Sequence, residues 1–100
     1  MINQIQLVDN QVQVKMQGSI CGEEAVALRE TLLGYIEKGN STFLIDLGGV
    51  DCIDSSGLGM LVTIQKQAFK HGGGVSLKGI NGLVKDVFEM VRLDKMFEIQ

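Results

Sequence analysis

A chain of 100 residues, 45% hydrophobic and 21% charged, is long enough for one compact domain and apolar enough to bury a core. That excludes a disordered chain and a large multi-site enzyme. Nine basic against 12 acidic residues leave a formal charge of -3, so no positive field is available for a nucleic acid or an anionic membrane surface. A protein partner is expected instead. The start, MINQIQLVDN, has neither a basic leader region nor a long apolar run, and no window approaches the roughly 20 apolar residues of a membrane span. With two cysteines, Cys21 and Cys52, the composition fits a soluble cytoplasmic protein whose thiols stay free.

Proline is absent and glycine is plentiful, at 13 residues, so Gly, Asn and Asp must build the turns. Ile5 and Leu7 alternate with polar neighbours, as do Val12, Val14 and Met16, and Asp9-Asn10 lies between the two runs. This spacing predicts a hairpin. Ala25, Leu28, Leu32 and Ile36 then mark one face of a helix over about Glu23 to Lys38, with Gly34 inside it as a point of close packing.

Phe43-Leu44-Ile45-Asp46-Leu47 is short and apolar, which predicts a central strand covered on both faces. Val50, Cys52 and Ile53 lead to Asp54-Ser55-Ser56-Gly57, where a second helix begins and runs to about His71 before the Gly72-Gly73-Gly74 stop. Its apolar residues spread beyond one stripe, so it is either deeply packed or covered by a partner. Val75-Ser76-Leu77 reads as a strand, Val84, Val87, Phe88 and Val91 as a helix, and Leu93 to Ile99 as a closing segment with a short last strand. Strands alternating with helices imply an α/β fold with a small, mixed but mostly parallel sheet of four or five strands, formed as a single domain over residues 1–100.

The chemistry-bearing residues gather in Asp54-Ser55-Ser56-Gly57-Leu58-Gly59. Asp and Ser before an apolar helix are ordinary N-caps. The same position also exposes a serine hydroxyl where a phosphate would meet free N–H groups and the positive end of the helix dipole, with Gly57 and Gly59 leaving the approach open to a kinase.

The order of elements, the strand Leu44-Ile45-Asp46-Leu47, the Asp54-Ser55-Ser56-Gly57-Leu58-Gly59 stretch and the later Leu83-Val84-Lys85-Asp86-Val87-Phe88-Glu89-Met90 resemble bacterial anti-sigma factor antagonists, which are single STAS domains. The resemblance spans essentially the whole chain. It implies that Ser55 is a phosphoacceptor and that the protein is a partner switch with no cofactor and no catalysis of its own. On that pattern the unphosphorylated form binds an anti-sigma factor serine kinase, phosphorylation with ATP ends the binding, and a protein phosphatase restores it. The implied docking surface takes in Asp54, Ser56, Gly57, Leu58, Gly59 and Met60, with Ser19 and Cys21 from the preceding loop. Where the family often carries Gly-Glu-Leu-Asp, this chain reads Gly18-Ser19-Ile20-Cys21, and it ends at Gln100 where many relatives continue into a further helix. A monomer or weak dimer is expected. The alternative is a STAS subunit of a scaffold or transporter complex that is never phosphorylated.

Other chemistries fit less well. Asp46, Asp51 and Asp54 suggest a metal-assisted phosphoacceptor, but the acidic pair such a site needs after its first strand is missing. A single histidine and two distant cysteines make no zinc site. Ser55 lacks the Gly-x-Ser-x-Gly elbow of a hydrolase, and the triple glycine lacks the Lys-Ser or Lys-Thr of a phosphate loop.

Overall fold

The computed structural model describes residues 2–100. Strands β1 (Ile2–Val8) and β2 (Gln11–Ile20) lead into helix α1 (Gly22–Glu37), and β3 (Thr42–Ile53) leads into α2 (Ser55–Lys70). Then come β4 (Gly74–Lys78), α3 (Gly82–Met90), a 3-10 turn at Leu93–Lys95 and β5 (Glu98–Ile99). The five strands lie in the order β1-β2-β3-β4-β5. β1 is antiparallel to β2, and the remaining neighbours are parallel.

The hairpin forms because Asp9 and Asn10 both take positive φ, 49° and 66°, in a two-residue turn whose twist matches that of the flanking strands. Asp and Asn bear this conformation better than other side chains do. The predicted face of α1 is the observed one, since Ala25, Leu28, Leu32 and Ile36 are all buried. Gly34 departs from expectation: a Cβ built there meets nothing within 4 Å, so no close packing depends on it.

The sheet is covered on one face, and the expectation of cover on both is corrected. Val12, Val14 and Met16, Phe43, Ile45 and Leu47, and Val75 and Leu77 form the buried set. Their alternates Gln13, Lys15, Leu44, Asp46, Ser76 and Lys78 are half-buried or exposed. The physical reason is the strand order: each crossover from β2 onward steps in the same direction, and crossovers of one hand then put every helix on the same side.

β3 also runs beyond the predicted Phe43–Leu47. It passes through Gly48-Gly49, where the register against β2 shifts, and its buried residues change from every second position to Val50 and Ile53. Gly49 is needed at that irregularity because a Cβ would lie 2.9 Å from Gln17 Cγ and 3.2 Å from the Met16 carbonyl. The extension carries the chain to the start of α2.

Helix α2 buries Gly57, Met60, Leu61, Ile64 and Ala68 against the sheet and α1, while Phe69 stays 76% exposed. Deep packing therefore accounts for most of its apolar breadth. The Gln65 side chain joins three segments: its Oε1 accepts from the Val75 N–H at 2.7 Å and its Nε2 donates to the Met96 carbonyl at 2.7 Å. At the C-terminal end Phe88 and Phe97 stack at a tilt, ring centres 6.2 Å apart. Among the described residues no helix is long and apolar enough to cross a membrane.

Candidate functional site

The β2–α1 and β3–α2 corners meet at one end of the sheet because β2 and β3 are parallel neighbours in register through Ile20 and Ile53. Asp54 joins them. As N-cap of α2 it accepts the Gly57 N–H on Oδ1 at 3.0 Å, and its Oδ2 accepts the Gly22 N–H of α1 at 3.2 Å. Cys21, the residue before α1, makes no side-chain cap of its own, so a carboxylate from the next helix satisfies that donor. Nearby, the Ser19 hydroxyl donates to Asp51 Oδ1 at 3.3 Å.

Ser55 and Ser56 open α2 and are both exposed. Their own N–H groups belong to the first turn, where a helix has no internal acceptor to offer. Since Asp54 already caps the helix, the Ser55 hydroxyl is not required for that purpose. Exposed Asp51, Glu23 and Glu24 surround the two corners and give this face an acidic rim.

Several expected contact residues lie elsewhere than on the surface. Met60 is 2% exposed and Gly57 is buried, so both serve the core and neither can form a docking surface in this conformation. The reason for glycine at 57 is internal: a Cβ would sit 2.6 Å from the Ile20 carbonyl and 2.6 Å from Ile53 Cγ1, so only glycine lets α2 approach the two strands. Gly59 does stand clear, with nothing within 4 Å of a built Cβ, and Leu58 is half-buried against the core. Ser19 is exposed and Cys21 half-buried beside Asp54.

The structure adds Gly22 to the site and gives Asp51 and Cys52 places there that spacing does not assign them. Gly22 and Asp51 complete the hydrogen bonds of the two corners. Cys52 pairs with Ser19 across the sheet. Burial, the Asp54 carboxylate and Cys52 push the Cys21 thiol above its ordinary pKa. Sequence patterning misses these partners because register between parallel strands leaves no local mark.

The competing chemistries find no geometry. Asp46 lies on the open sheet face and accepts the Gly48 N–H at 2.8 Å, Asp51 holds Ser19, and Asp54 caps two helices; no group of three metal-ligating side chains occurs among the described residues. His71 closes the far end of α2, about 24 Å along the axis from Ser55. Its Nδ1–H donates to the Gln67 carbonyl at 2.9 Å. Gly73 marks a close crossing, its N–H bonded to the Ala68 carbonyl while a Cβ there would collide with the Ser41 carbonyl.

The family model described as Mlab, STAS domain matches residues 3–98. The chain belongs to the STAS domain family. This STAS domain is 32% identical to the anti-sigma-B factor antagonist of Bacillus subtilis over 91% of its own length and 83% of that protein's. It superposes with a TM-score of 0.85 on a crystal structure from Thermotoga maritima described as that of a candidate anti-sigma factor antagonist, at 27% identity, covering 97% of this chain and 84% of the other. The phosphorylated form of the Bacillus cell fate determinant SpoIIAA shares the fold, with a TM-score of 0.81 at 18% identity over 99% of this STAS domain and 91% of that chain.

Proposed function

We propose that this STAS domain is an anti-sigma factor antagonist whose binding is switched by phosphorylation of Ser55. The observation that carries the reading is the division of labour at the start of α2, where Asp54 caps the helix and leaves the neighbouring serine exposed. A kinase partner transfers the γ-phosphoryl group of ATP to the Ser55 oxygen, the hydroxyl proton leaves, and ADP is released. A protein phosphatase reverses the state by hydrolysis.

A phosphate at this place acts on the interface more than on the fold. The first-turn N–H groups and the helix dipole favour the added charge by about 0.3–1 kcal/mol. Toward a docked partner the same group adds about -1.5 to -2 of charge beside Asp51 and Asp54, bringing repulsion and a desolvation cost. The acidic rim of Asp51, Glu23 and Glu24 suits a partner with a basic face. Ser55, Ser56, Gly59, Ser19 and Cys21, with the half-buried Leu58, form the docking surface.

Two relatives support the reading at different depths. The B. subtilis protein's name links it to an anti-sigma factor, and SpoIIAA, a protein of the same fold, has a phosphorylated form. The test is phosphate incorporation into wild type and Ser55→Ala by a kinase recovered from the native cells on the unphosphorylated protein. Incorporation lost in the variant, with retained binding, supports the switch. Binding indifferent to ATP and to residue 55 favours a constitutive subunit of a larger complex.

A further inference from the structure

Cys21 and Cys52 are both free thiols, half-buried and exposed respectively, and the strand register brings them to one side of the sheet. Ser19 pairs with Cys52 and Ile20 with Ile53. Ile20 and Ile53 face the core, so Ser19 and Cys52 face away from it. Cys21, two residues past Ser19 and still extended at φ -140° and ψ 150°, returns to the Cys52 side. The two side chains lie diagonally across adjacent strands on the same side of the sheet, and Cys52 is among the groups that raise the Cys21 pKa.

We propose that Cys21 and Cys52 form a reversible intramolecular disulfide when the protein meets a hydroperoxide. The exposed Cys52 sulfur, as thiolate, attacks the outer peroxide oxygen. The O–O bond breaks, the leaving oxygen takes up a proton as alcohol or water, and Cys52 becomes a sulfenic acid. Cys21 then attacks the Cys52 sulfur; its proton is lost, the S–S bond forms, and the S–O bond breaks to release water. Two thiols have given up two electrons and two protons, and the hydroperoxide has become an alcohol and water.

The fold provides the movement this needs. Parallel strands about 4.8 Å apart, rising about 3.3 Å per residue, put diagonal neighbours roughly 8 Å apart, and a disulfide prefers Cα atoms about 4.4–6.8 Å apart, so closure takes roughly 1–2 Å of backbone travel. Cys21 sits one residue beyond the end of β2, and Gly22 follows it at φ 55°, where glycine moves at little steric cost. The corner is tied by Gly22 N–H to Asp54 Oδ2, so bond formation pulls on the carboxylate that caps the Ser55 helix. Cys52 is the exposed thiol and burial disfavours a Cys21 thiolate, so the peroxide meets Cys52 first.

The experiment treats the reduced full chain with hydrogen peroxide and reads intact mass and non-reduced peptide maps. The expected product is a monomer lighter by two hydrogens, with the Cys21 and Cys52 peptides joined, that returns to its starting mass in dithiothreitol. Cys21→Ser, which places a good N-cap residue before α1 and so keeps the fold, should stop at a Cys52 sulfenic acid trapped by dimedone. Wild-type protein that gives the same dimedone adduct as Cys21→Ser, or that forms only disulfides between chains, overturns the proposal. Neither result depends on whether Ser55 carries phosphate, so the phosphorylation reading and the disulfide stand or fall separately.

Discussion

Asp54 Oδ2 accepts the backbone N–H of Gly22 at 3.2 Å, so the residue that caps α2 also holds the first residue of α1. One carboxylate thus fixes the two corners that frame Ser55. Asp54→Ala should leave a folded protein less stable by about 1–3 kcal/mol, since it removes an N-cap and strands a second donor. Urea unfolding followed by circular dichroism measures this, and a loss within a few tenths of a kcal/mol would show the clasp to be inert.

The glycines of α1 and α2 separate by what a side chain would meet. Gly57→Ala forces a Cβ to within 2.6 Å of the Ile20 carbonyl and should cost about 1–3 kcal/mol or more, because backbone and not a flexible side-chain end must yield. Gly34→Ala and Gly59→Ala meet open space and should stabilise by about 0.4–1 kcal/mol. Thermal melts of the three variants should therefore shift in opposite directions.

Gln65 ties α2 to the start of β4 and to Met96 through two hydrogen bonds of 2.7 Å. Gln65→Leu leaves the Val75 N–H and the Met96 carbonyl without that partner, and should cost about 1–3 kcal/mol. Amide hydrogen exchange gives a sharper readout than global stability: protection should fall at Val75 and along Phe97 to Ile99 before the α1 face responds.

The Cys21 thiol has a raised pKa, first from burial and then from Asp54 and Cys52. Its thiolate therefore appears at higher pH in the folded protein than in the unfolded chain, so alkylation by iodoacetamide at neutral pH should be slower when folded and should rise with a pH midpoint above the ordinary thiol value of about 8.5. Mass-resolved labelling of Cys21 in a Cys52→Ser background follows this. Removing Cys52 should lower the midpoint without returning it fully, because burial and Asp54 remain.

Much of the fold is legible in the residues. Asp9-Asn10 between two alternating runs marks the hairpin, the Ala25, Leu28, Leu32, Ile36 stripe marks α1, and the buried pair Val84 and Phe88 marks α3. The length of β3 is hidden because Gly48-Gly49 reads as a turn while the register shift keeps the strand running. Apolar Leu44 reads as a second buried face, although cover depends on where crossovers place helices, which is a property of the whole topology. At the site, the serine and its capping aspartate stand together in sequence and are read directly. The clasp to Gly22, the placing of Cys21 diagonal to Cys52 and the burial of Gly57 and Met60 all arise from β2 lying beside β3, which no local pattern records.

Ser55 is tested most directly by the intact mass of protein isolated from its native cells, followed by fragmentation to place any gain of about 80 Da, the mass of a phosphoryl group. The expected result is partial phosphate on Ser55, absent from Ser55→Ala, together with at least tenfold weaker partner binding by Ser55→Asp, a change of about 1.4 kcal/mol. Protein without phosphate in every growth condition, bound to its partner with an affinity that Ser55→Asp leaves unchanged, would contradict the switch.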